Sequence, residues 1–421
     1  MPLQGSAMPT PTHVFRARWL IPAEGPAIED GALVVAGGRI ARVGRWARLK
    51  AHVAGERVEE FADAAILPGF VNAHTHLSLS DMGGKFRPTK NFAGWIARLT
   101  ARRMVRTGGG IRRAVRKGAK ESLAAGTVAG ADLTPDVDRC DVLASGPVRW
   151  TVFGEVFRFG QAGLDHLKSA VRKLESLRRT AGLRVGLSPH APWTVGAEVF
   201  MAARREADRR GWPLSTHLHE TLDEIAFTER GEGVLFTWMR RVGILPRTWR
   251  PPGLRPIPML AEAGFFRGPV LVAHGNYLTD EEIAILARSR SSVAYCPRSH
   301  AFFKHEGHPW RRLLAGGANV CLGTDSLASS PGLSVLQEAR FLMKRQADSD
   351  PRTLLQMATV RGARALGLEG EFGDLRKGLA AAWVVVGPLP ETNDPLAAVL
   401  AGEGTVRRVG LPPADRPVAR S

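Results

Sequence analysis

The sequence predicts an α/β protein in which a (β/α)8 barrel of the TIM type carries a smaller β-rich domain. With 421 residues, the chain is too long for one small core and fits one large barrel with a satellite domain. In the middle of the chain, short apolar strands alternate with longer helical stretches, which is typical of βαβ units and a parallel sheet. The two end segments lack this alternation and have the pattern of strands and turns.

The β-rich end segments occupy residues 12–65 and 366–412. Short apolar runs interrupted by glycines, as in β-hairpins, fill residues 31–44. A further strand is predicted at residues 378–387, which read Gly-Leu-Ala-Ala-Ala-Trp-Val-Val-Val-Gly. We therefore assign both end segments to the smaller domain and residues 66–365 to the barrel.

Eight candidate strands lie between the two end segments, which is the number that a (β/α)8 barrel requires. The longest connection, residues 221–268, carries Trp238, Trp249 and Gly253. A lid over the barrel mouth and a plain loop with a helix explain this connection equally well. The strands are expected near residues 66–74, 127–133, 148–156, 183–189, 213–219, 269–275, 292–296 and 319–325.

The chain is strongly basic, because 58 Lys and Arg residues against 40 Asp and Glu residues give a formal net charge of +18. Such a balance raises the hypothesis of a non-catalytic nucleic-acid-binding protein. The arginines are scattered, however, in pairs such as Arg102-Arg103 and Arg112-Arg113 that fall in helical stretches. This distribution favours a solvated ring of outer helices, and the sequence contains no nucleic-acid-binding motif.

Two further features bear on localisation. No apolar run approaches the roughly 20 residues that a membrane span requires, and residues 1–13 lack the apolar core of a secretory signal. The three cysteines, Cys140, Cys296 and Cys321, have neither the number nor the spacing of a disulfide framework or a C-x-x-C site. We therefore expect a protein of the reducing cytoplasm that does not interact with membranes.

Polar residues that suit a metal site follow the predicted strands at the end where barrel enzymes have their active sites. His74 and His76 end the first strand and point to the same side, because alternate residues of a strand share a face. His217 ends the fifth strand and Asp325 ends the eighth. Each motif alone has a structural alternative, but together they predict a catalytic site with N and O ligands and room for water.

Two more residues suit the chemistry of such a site. Glu220 follows His217 by three residues and can carry a proton between a metal-activated water and the substrate. His274 ends the sixth strand and suits either metal binding or polarisation of the attacked bond. His219 shares the face of His217, yet a polar residue without a catalytic role is the better interpretation. The sequence thus predicts a metal-dependent hydrolase.

Taken together, these motifs resemble the amidohydrolase superfamily, in the branch of deaminases and chlorohydrolases that includes adenosylhomocysteine and aminofutalosine deaminases and the triazine hydrolases. Residues 67–77 resemble the strand-one motif, residues 217–221 the H-x-x-E motif and residues 322–329 the strand-eight motif. Residues 295–300 are similar to the C-P-x-S-N segment, with His300 where the family usually has Asn. The resemblance covers nearly the whole chain.

The resemblance implies one divalent metal, held by His74, His76, His217 and Asp325. Zinc is the default, and Fe2+, Ni2+ or Mn2+ also suit these ligands. Residues 183–189 contain no lysine, whereas relatives with two metals carry a carbamylated lysine there, so a single metal is favoured. The resemblance also implies that the two β-rich end segments pair into a small β-sandwich.

The implied reaction is deamination of a purine-type ring, in which metal-bound hydroxide attacks the carbon that carries the amino group. Glu220 protonates the adjacent ring nitrogen, while His274 and Asp325 stabilise the tetrahedral intermediate. The expected substrate is a 5′-substituted adenosine such as aminofutalosine or adenosylhomocysteine. Hydrolysis of another C–N or C–Cl bond, in guanine, cytosine, a triazine or a cyclic amide, is the alternative within the enzymes.

The substrate-binding residues are predicted partly from the resemblance. The family's strand-four histidine, which touches the substrate, corresponds to His190, and Arg87, Trp95 and Trp193 are candidate pocket residues. Some relatives carry a carboxylate two residues after the H-x-H motif, where this chain has Ser78, and this departure leaves the nucleoside open. We expect a small heterocyclic substrate as the partner, no specific nucleic acid, and a homodimer as a compatible assembly.

Overall fold

Two parallel sheets of four strands and one mixed sheet of six strands form the framework of the protein. The structure is a computed structural model, and it describes residues 12–411. Residues 1–11 of the segment tested for a secretory signal, and Pro412 at the end of the predicted small domain, lie outside the described residues. The strands are β1 (Thr12–Leu20), β2 (Ile28–Ala36), β3 (Arg39–Arg45), β4 (Val58–Pro68), β5 (Phe70–Thr75), β6 (Thr127–Thr134), β7 (Arg149–Val156), β8 (Arg184–Pro189), β9 (Ser215–Leu218), β10 (Leu271–His274), β11 (Ser292–Tyr295), β12 (Asn319–Leu322), β13 (Trp383–Gly387) and β14 (Thr405–Gly410).

Helices follow most of the parallel strands, and short 3-10 helices occupy Lys50–Val53, Leu77–Met82 and Val137–Ser145. Within residues 12–411, no helix combines the length and the apolar character that crossing a membrane requires. The α-helices are α1 (Trp46–Leu49), α2 (Phe92–Met104), α3 (Gly108–Ala124), α4 (Gly160–Ala181), α5 (Ala197–Arg210), α6 (Leu222–Arg230), α7 (Gly233–Arg241), α8 (Pro256–Glu262), α9 (Asp280–Arg288), α10 (Pro297–Phe302), α11 (Trp310–Ala315), α12 (Val335–Arg345), α13 (Pro351–Ala358), α14 (Val360–Ala365) and α15 (Pro395–Ala401).

The parallel sheets contain all eight of the strands expected in the middle of the chain. One sheet has the order β5-β6-β7-β8 and the other the order β9-β10-β11-β12. Parallel bridges connect them on both sides, from Leu187 to Leu214 and from Thr75 to Asp325. The predicted α/β class with a parallel, helix-covered architecture is confirmed.

The outer helices explain where much of the positive charge lies. In α4, Leu167, Val171 and Leu174 face the core, while the last turn carries Arg178 and Arg179. Arginines in a last turn also interact favourably with the partial negative charge of the helix C-terminus. Arg204 in α5 is an exception, because it is buried and pairs with Asp208 on the same helix.

Both chain ends contribute to one six-stranded sheet with the order β14-β13-β4-β1-β2-β3. The sheet curls so that its β3 edge meets the chain just before β13, where Arg39 and Ala380 form an antiparallel bridge. Inside the curl, the rings of Phe15 and Trp383 lie 4.3 Å apart between centroids. The sequence predicted a sandwich here, and the described residues pair as a single curled sheet.

The first predicted barrel strand, residues 66–74, is in fact divided between two sheets. Pro68 ends β4 in the six-stranded sheet, and Phe70 begins β5 in the parallel sheet. The intervening Gly69 has no room for a side chain, because a Cβ there would lie 2.2 Å from the side chain of Val128. Residues 66–68 therefore belong to the terminal sheet, although the sequence-based boundary assigned them to the barrel.

Candidate active site

The C-terminal ends of the parallel strands bring the predicted metal ligands together. His74 lies in β5, His76 directly after it and His217 in β9. One ring nitrogen from each of these three histidines lies within 4.8 Å of the others. Asp325, which follows β12, places its Oδ1 3.8 Å from His74 Nε2 and 3.7 Å from His76 Nε2. We call these four residues the histidine–aspartate cluster.

The donor atoms of this cluster fit a divalent cation. Both ring nitrogens of His74 and Nδ1 of His217 are buried and have no hydrogen-bond partner among residues 12–411. Burial lowers the pKa of His74 and of His217 well below the usual value for histidine, so both imidazoles are neutral. Neutral imidazole and carboxylate are the ligand types that zinc and related cations prefer, and unpartnered buried nitrogens are costly without one.

Groups behind His76 fix the orientation of its ring. His76 Nδ1 donates to the carbonyl oxygen of Leu133 over 2.8 Å, which leaves Nε2 free to face the cluster. The next backbone N–H, of Leu77, donates to Asp132 Oδ1 over 2.8 Å. Burial raises the pKa of Asp132 to about 7. Asp132 was not among the predicted site residues, although an acidic residue in the apolar strand β6 was a usable signal.

Two serines hold the outer oxygen of Asp325. Its Oδ2 accepts hydrogen bonds from Ser299 Oγ at 2.7 Å and from Ser329 Oγ at 2.5 Å, which turns Oδ1 toward the histidines. Burial raises the pKa of Asp325, but the neighbouring His76 and His274 outweigh this effect and lower the pKa to about 2. Asp325 is therefore ionised at neutral pH. Both serines lie in motifs that suggested the family, yet their contact with Asp325 was not predicted.

Glu220 and His274 form a pair at the edge of the cluster, with Glu220 Oε1 3.6 Å from His274 Nε2. Burial raises the pKa of Glu220 well above its usual value and lowers the pKa of His274 to about 4. The backbone around them is tethered, because His308 Nε2 donates to the carbonyl oxygen of His274 and Asn276 Nδ2 donates to that of Glu220. Burial therefore favours the protonated carboxyl of Glu220 and the neutral imidazole of His274.

His219 lies outside the cluster. Its buried ring places Nε2 3.1 Å from Glu282 Oε1 in α9, and Arg255 Nε donates to the same oxygen over 2.9 Å. The main chain at His219 has a φ of 55°, which is uncommon for a residue with a side chain. His219 therefore anchors the strand end beside Glu220.

A cavity of about 520 Å³ opens above the cluster. His76, His217, Glu220, His274 and Asp325 lie at its base. Apolar side chains form much of its wall, and four charged residues stand among them. The aromatic wall residues are Phe92, Trp95, Phe157, Trp193 and Trp238, and the charged ones are Arg103, Asp136, Glu155 and Arg158.

Three of the four predicted substrate-binding residues line this cavity, namely Trp95, Trp193 and His190. Trp95 Nε1 donates to the carbonyl oxygen of Ala328 over 3.2 Å, which fixes the indole. Thr194 Oγ1 donates to the backbone and therefore accepts from His190 Nδ1 over 2.8 Å. Burial lowers the pKa of His190 to about 3, so its Nε2 is an acceptor.

The prediction that Arg87 is a pocket residue is corrected, because Arg87 does not line the cavity and its side chain is exposed. The preceding residue, Phe86, packs on Trp95 with ring centroids 6.0 Å apart. The arginines of the cavity are Arg103 in α2 and Arg158 after β7, and neither was predicted.

The connection at residues 221–268 covers part of the cavity. It forms α6, α7 and α8 and contributes Trp238, Met239 and Ile244 to the cavity wall. Trp249 packs behind them against Phe227, with ring centroids 4.7 Å apart. Of the two interpretations of this connection, the structure favours a cover over the strand ends.

The sequence profile of the Amidohydrolase family matches residues 65–409. The chain belongs to this family. An aminodeoxyfutalosine deaminase of Deinococcus radiodurans is 34% identical over 368 residues, which cover 84% of this chain and 85% of the relative. A 5-methylthioadenosine/S-adenosylhomocysteine deaminase of Moorella thermoacetica is 29% identical over 381 residues, which cover 87% of this chain and 83% of the relative. The family predicted from the motifs is confirmed.

Solved structures agree with this assignment. A zinc-bound adenosine deaminase of Xanthomonas campestris superimposes with a TM-score of 0.81 and 25% identity, covering 96% of this amidohydrolase chain and 92% of that chain. The aminofutalosine deaminase of Helicobacter pylori, in complex with methylthio-coformycin, gives a TM-score of 0.83 at 21% identity. The match covers 95% of this chain and 98% of that chain. The second likeness bears on the fold alone.

Proposed function

We propose that this amidohydrolase removes the amino group from the purine-type ring of a 5′-substituted adenosine. The observation that carries the proposal is the pair of Glu220 and His274, 3.6 Å apart beside the histidine–aspartate cluster. A ring nitrogen accepts a proton from a neutral carboxyl, and burial raises the pKa of Glu220, which favours that neutral form. Relatives named as deaminases of such nucleosides support the substrate class.

We further propose that His74, His76, His217 and Asp325 hold one divalent cation, with zinc as the first choice. The unpartnered buried nitrogens and the ionised Asp325 support this assignment, as does the bound zinc of the Xanthomonas enzyme. When bound, such a cation makes water available as a nucleophile at neutral pH.

The side chains around the cluster then have distinct roles in the proposed reaction. Glu220 donates a proton to the ring nitrogen next to the carbon that is attacked. Asp325 accepts a proton from the attacking water, and the same proton is available to the leaving ammonia. His274, which is neutral, holds the oxygen that becomes bonded to the ring carbon. His190 contacts the ring through its free Nε2.

The cavity walls support a substrate larger than a free base. Its volume of about 520 Å³ lies within the range of small-molecule sites. Trp95 and Trp193 offer apolar faces on which a ring or an apolar 5′ substituent can pack, and Trp238 and Met239 cover the outer part. Closure by these residues would exclude water from the reacting centre.

The domain organisation is part of the same proposal. We propose that the two parallel sheets close into one (β/α)8 barrel over residues 69–365, which the bridges at both of their edges support. Residues 12–68 and 366–411 would form the small domain in the manner of a sandwich, which the curl of the six-stranded sheet supports. In this arrangement the site lies at the mouth of the barrel.

The deciding experiment measures ammonia release by the zinc-reconstituted protein. Substrates are adenosine, 5′-deoxyadenosine, methylthioadenosine, adenosylhomocysteine, aminofutalosine, guanine, cytosine and a triazine. We expect release from one or more of the adenine nucleosides, with loss of activity after chelation. If protein that contains one metal per chain releases no ammonia from any of the adenine nucleosides, nucleoside deamination is refuted. Release from the triazine alone would assign the site to another C–N or C–Cl bond.

A further inference from the structure

Glu155 is a buried carboxylate that the proposed reaction does not use. It lies near the end of β7, on the same rim of the parallel sheets as the histidine–aspartate cluster, and it lines the cavity. Its residue is only 3% exposed, and within residues 12–411 its carboxylate has no hydrogen bond or ion pair. Burying a carboxylate without a partner is costly, so a ligand that donates to it would relieve that cost.

The surroundings of Glu155 argue against a second metal. One ligand atom each from Glu155, His190 and His217 lies within 4.8 Å of the other two. His217, however, belongs to the histidine–aspartate cluster, and His190 uses Nδ1 in its hydrogen bond with Thr194. A separate cation would therefore keep only one carboxylate and one imidazole, which is fewer than the three or four protein ligands of typical sites.

What remains is the Glu155 carboxylate beside the His190 ring, whose Nε2 is an acceptor because Nδ1 donates to Thr194. A matching ligand has hydroxyl groups close to the ring that occupies the base of the cavity. An ammonium group is disfavoured because Arg103 and Arg158 line the same cavity and repel it. Two vicinal hydroxyls on a sugar fit, since a carboxylate can accept from both of them.

We propose that Glu155 determines specificity by accepting hydrogen bonds from the ribose hydroxyls of the substrate, an inference that rests on the proposed function. The sugar is attached directly to the purine ring, so its hydroxyls come next to the reacting centre. A site built around such a buried acceptor rejects ligands that lack the donor, because the acceptor is then left without a partner. Glu155 thus selects ribonucleosides over deoxynucleosides and free bases.

The test compares 5′-deoxyadenosine with the analogue that also lacks the 2′ and 3′ hydroxyls. For the unmodified enzyme we expect kcat/KM to fall on the order of 100-fold or more without the hydroxyls. Glu155→Ala should lower kcat/KM for 5′-deoxyadenosine and reduce the discrimination between the two nucleosides to about tenfold or less. Glu155→Gln, which keeps one acceptor oxygen, should retain an intermediate discrimination.

Asp136→Ala is the matched control, because Asp136 is a carboxylate of the same cavity that already accepts a hydrogen bond from Arg103. This variant should keep the full discrimination. Equal discrimination by the unmodified and the Glu155→Ala enzymes would overturn the inference. The metal content of both proteins is a second check. If the unmodified enzyme binds two metals per chain and Glu155→Ala binds one, the inference is overturned in favour of a second cation site.

Binding to Glu220→Gln protein, measured by calorimetry, separates this inference from the proposed function. If the unmodified enzyme releases no ammonia, nucleoside deamination is wrong, but the affinity ratio of the two nucleosides still reports on Glu155. We expect 5′-deoxyadenosine to bind more tightly than its analogue, and this difference to shrink when Glu155→Ala is added. Absence of binding, or an unchanged difference, would refute recognition by Glu155.

Discussion

At the scale of single residues, the site depends on side chains that an uncommon backbone conformation presents. His219, His274 and Asp325 have φ values of 55°, 71° and 56°, in the left-handed region that residues with a Cβ rarely adopt. Each such residue costs on the order of 1–3 kcal/mol and persists only where its surroundings hold it. His274 ends β10, whereas His219 and Asp325 follow β9 and β12, so the strained residues coincide with the candidate site around Glu220.

Asp325→Asn should reduce ammonia release on the order of 1,000-fold or more while the fold is retained. The amide has the size of the carboxylate and can keep the hydrogen bonds from Ser299 and Ser329, but it neither carries the charge nor accepts a proton. The measurements are kcat and the thermal midpoint, with Asp348→Asn on an exposed side chain as the control. Unfolding of Asp325→Asn at ordinary temperature would assign Asp325 a structural role.

At the scale of elements, helices packed behind the strand ends hold the segment that carries Glu220, which pairs with His274. Glu282 in α9 contacts His219 and Arg255, and Glu224 in α6 accepts hydrogen bonds from the backbone N–H groups of His219 and Glu220. Two helices therefore constrain the short turn after β9. Burial raises the pKa of Glu282, yet hydrogen bonds from His219 and Arg255 outweigh burial and lower the pKa to about 2.

The contacts of Glu282 should make stability depend on pH in the acid range. A carboxylate whose pKa is lower in the folded state stabilises the fold above its ordinary pKa of 4.5, and this contribution is lost as the pH falls from there toward 2. Glu282→Gln should lower the thermal midpoint at pH 7 but lose less stability on acidification. Glu24→Gln, at an exposed position, is the control. Parallel melting profiles of the two variants would contradict the expectation.

At the scale of the whole molecule, the candidate metal site connects the two parallel sheets, and the positive charge is spread over the surface. The histidine–aspartate cluster draws its members from β5, β9 and β12 and the segments after them, so a bound cation would link both parallel sheets. The excess arginines lie largely on outer helices, where many pair with nearby acids, as Arg112 does with Asp141. A cytoplasmic homodimer stays a prediction.

Metal removal should abolish activity and lower the thermal midpoint. A ligand that binds only the folded state stabilises it by about 4 kcal/mol when present at 1,000 times its Kd. Chelation should therefore shift the midpoint downward, and zinc should restore both stability and turnover. His74→Ala is the comparison, since its midpoint should not respond to the chelator. Full activity of protein verified to be metal-free would contradict the proposed cluster.

Oligonucleotide binding should be non-specific and separable from activity. Scattered surface arginines interact with phosphates through charge, so a contact with 6–10 phosphates would weaken on the order of 1,000-fold or more between about 50 and 200 mM salt. We expect binding of mixed-sequence DNA that disappears over this range and leaves ammonia release unchanged. Sequence preference that persists at about 150 mM salt would revive the nucleic-acid hypothesis.

The sequence by itself determined the strands and the residues at their ends. All eight parallel strands appear where apolar runs predicted them, and His74, His76, His217 and Asp325 converge as expected. These features are local, because a strand requires only a short apolar run and a barrel gathers all strand ends at one rim.

The tertiary structure decided what depends on contacts between distant segments. The division of residues 66–74 at Gly69 follows from which sheet each half pairs with, and no local pattern encodes that choice. In the same way, Arg103 in α2 lines the cavity and Arg87 does not, because the packing of α2 decides which arginine reaches it. Ser299 and Glu155 acquire their significance from neighbours far along the chain. Side-chain partners are set by packing, and packing is a property of the folded whole.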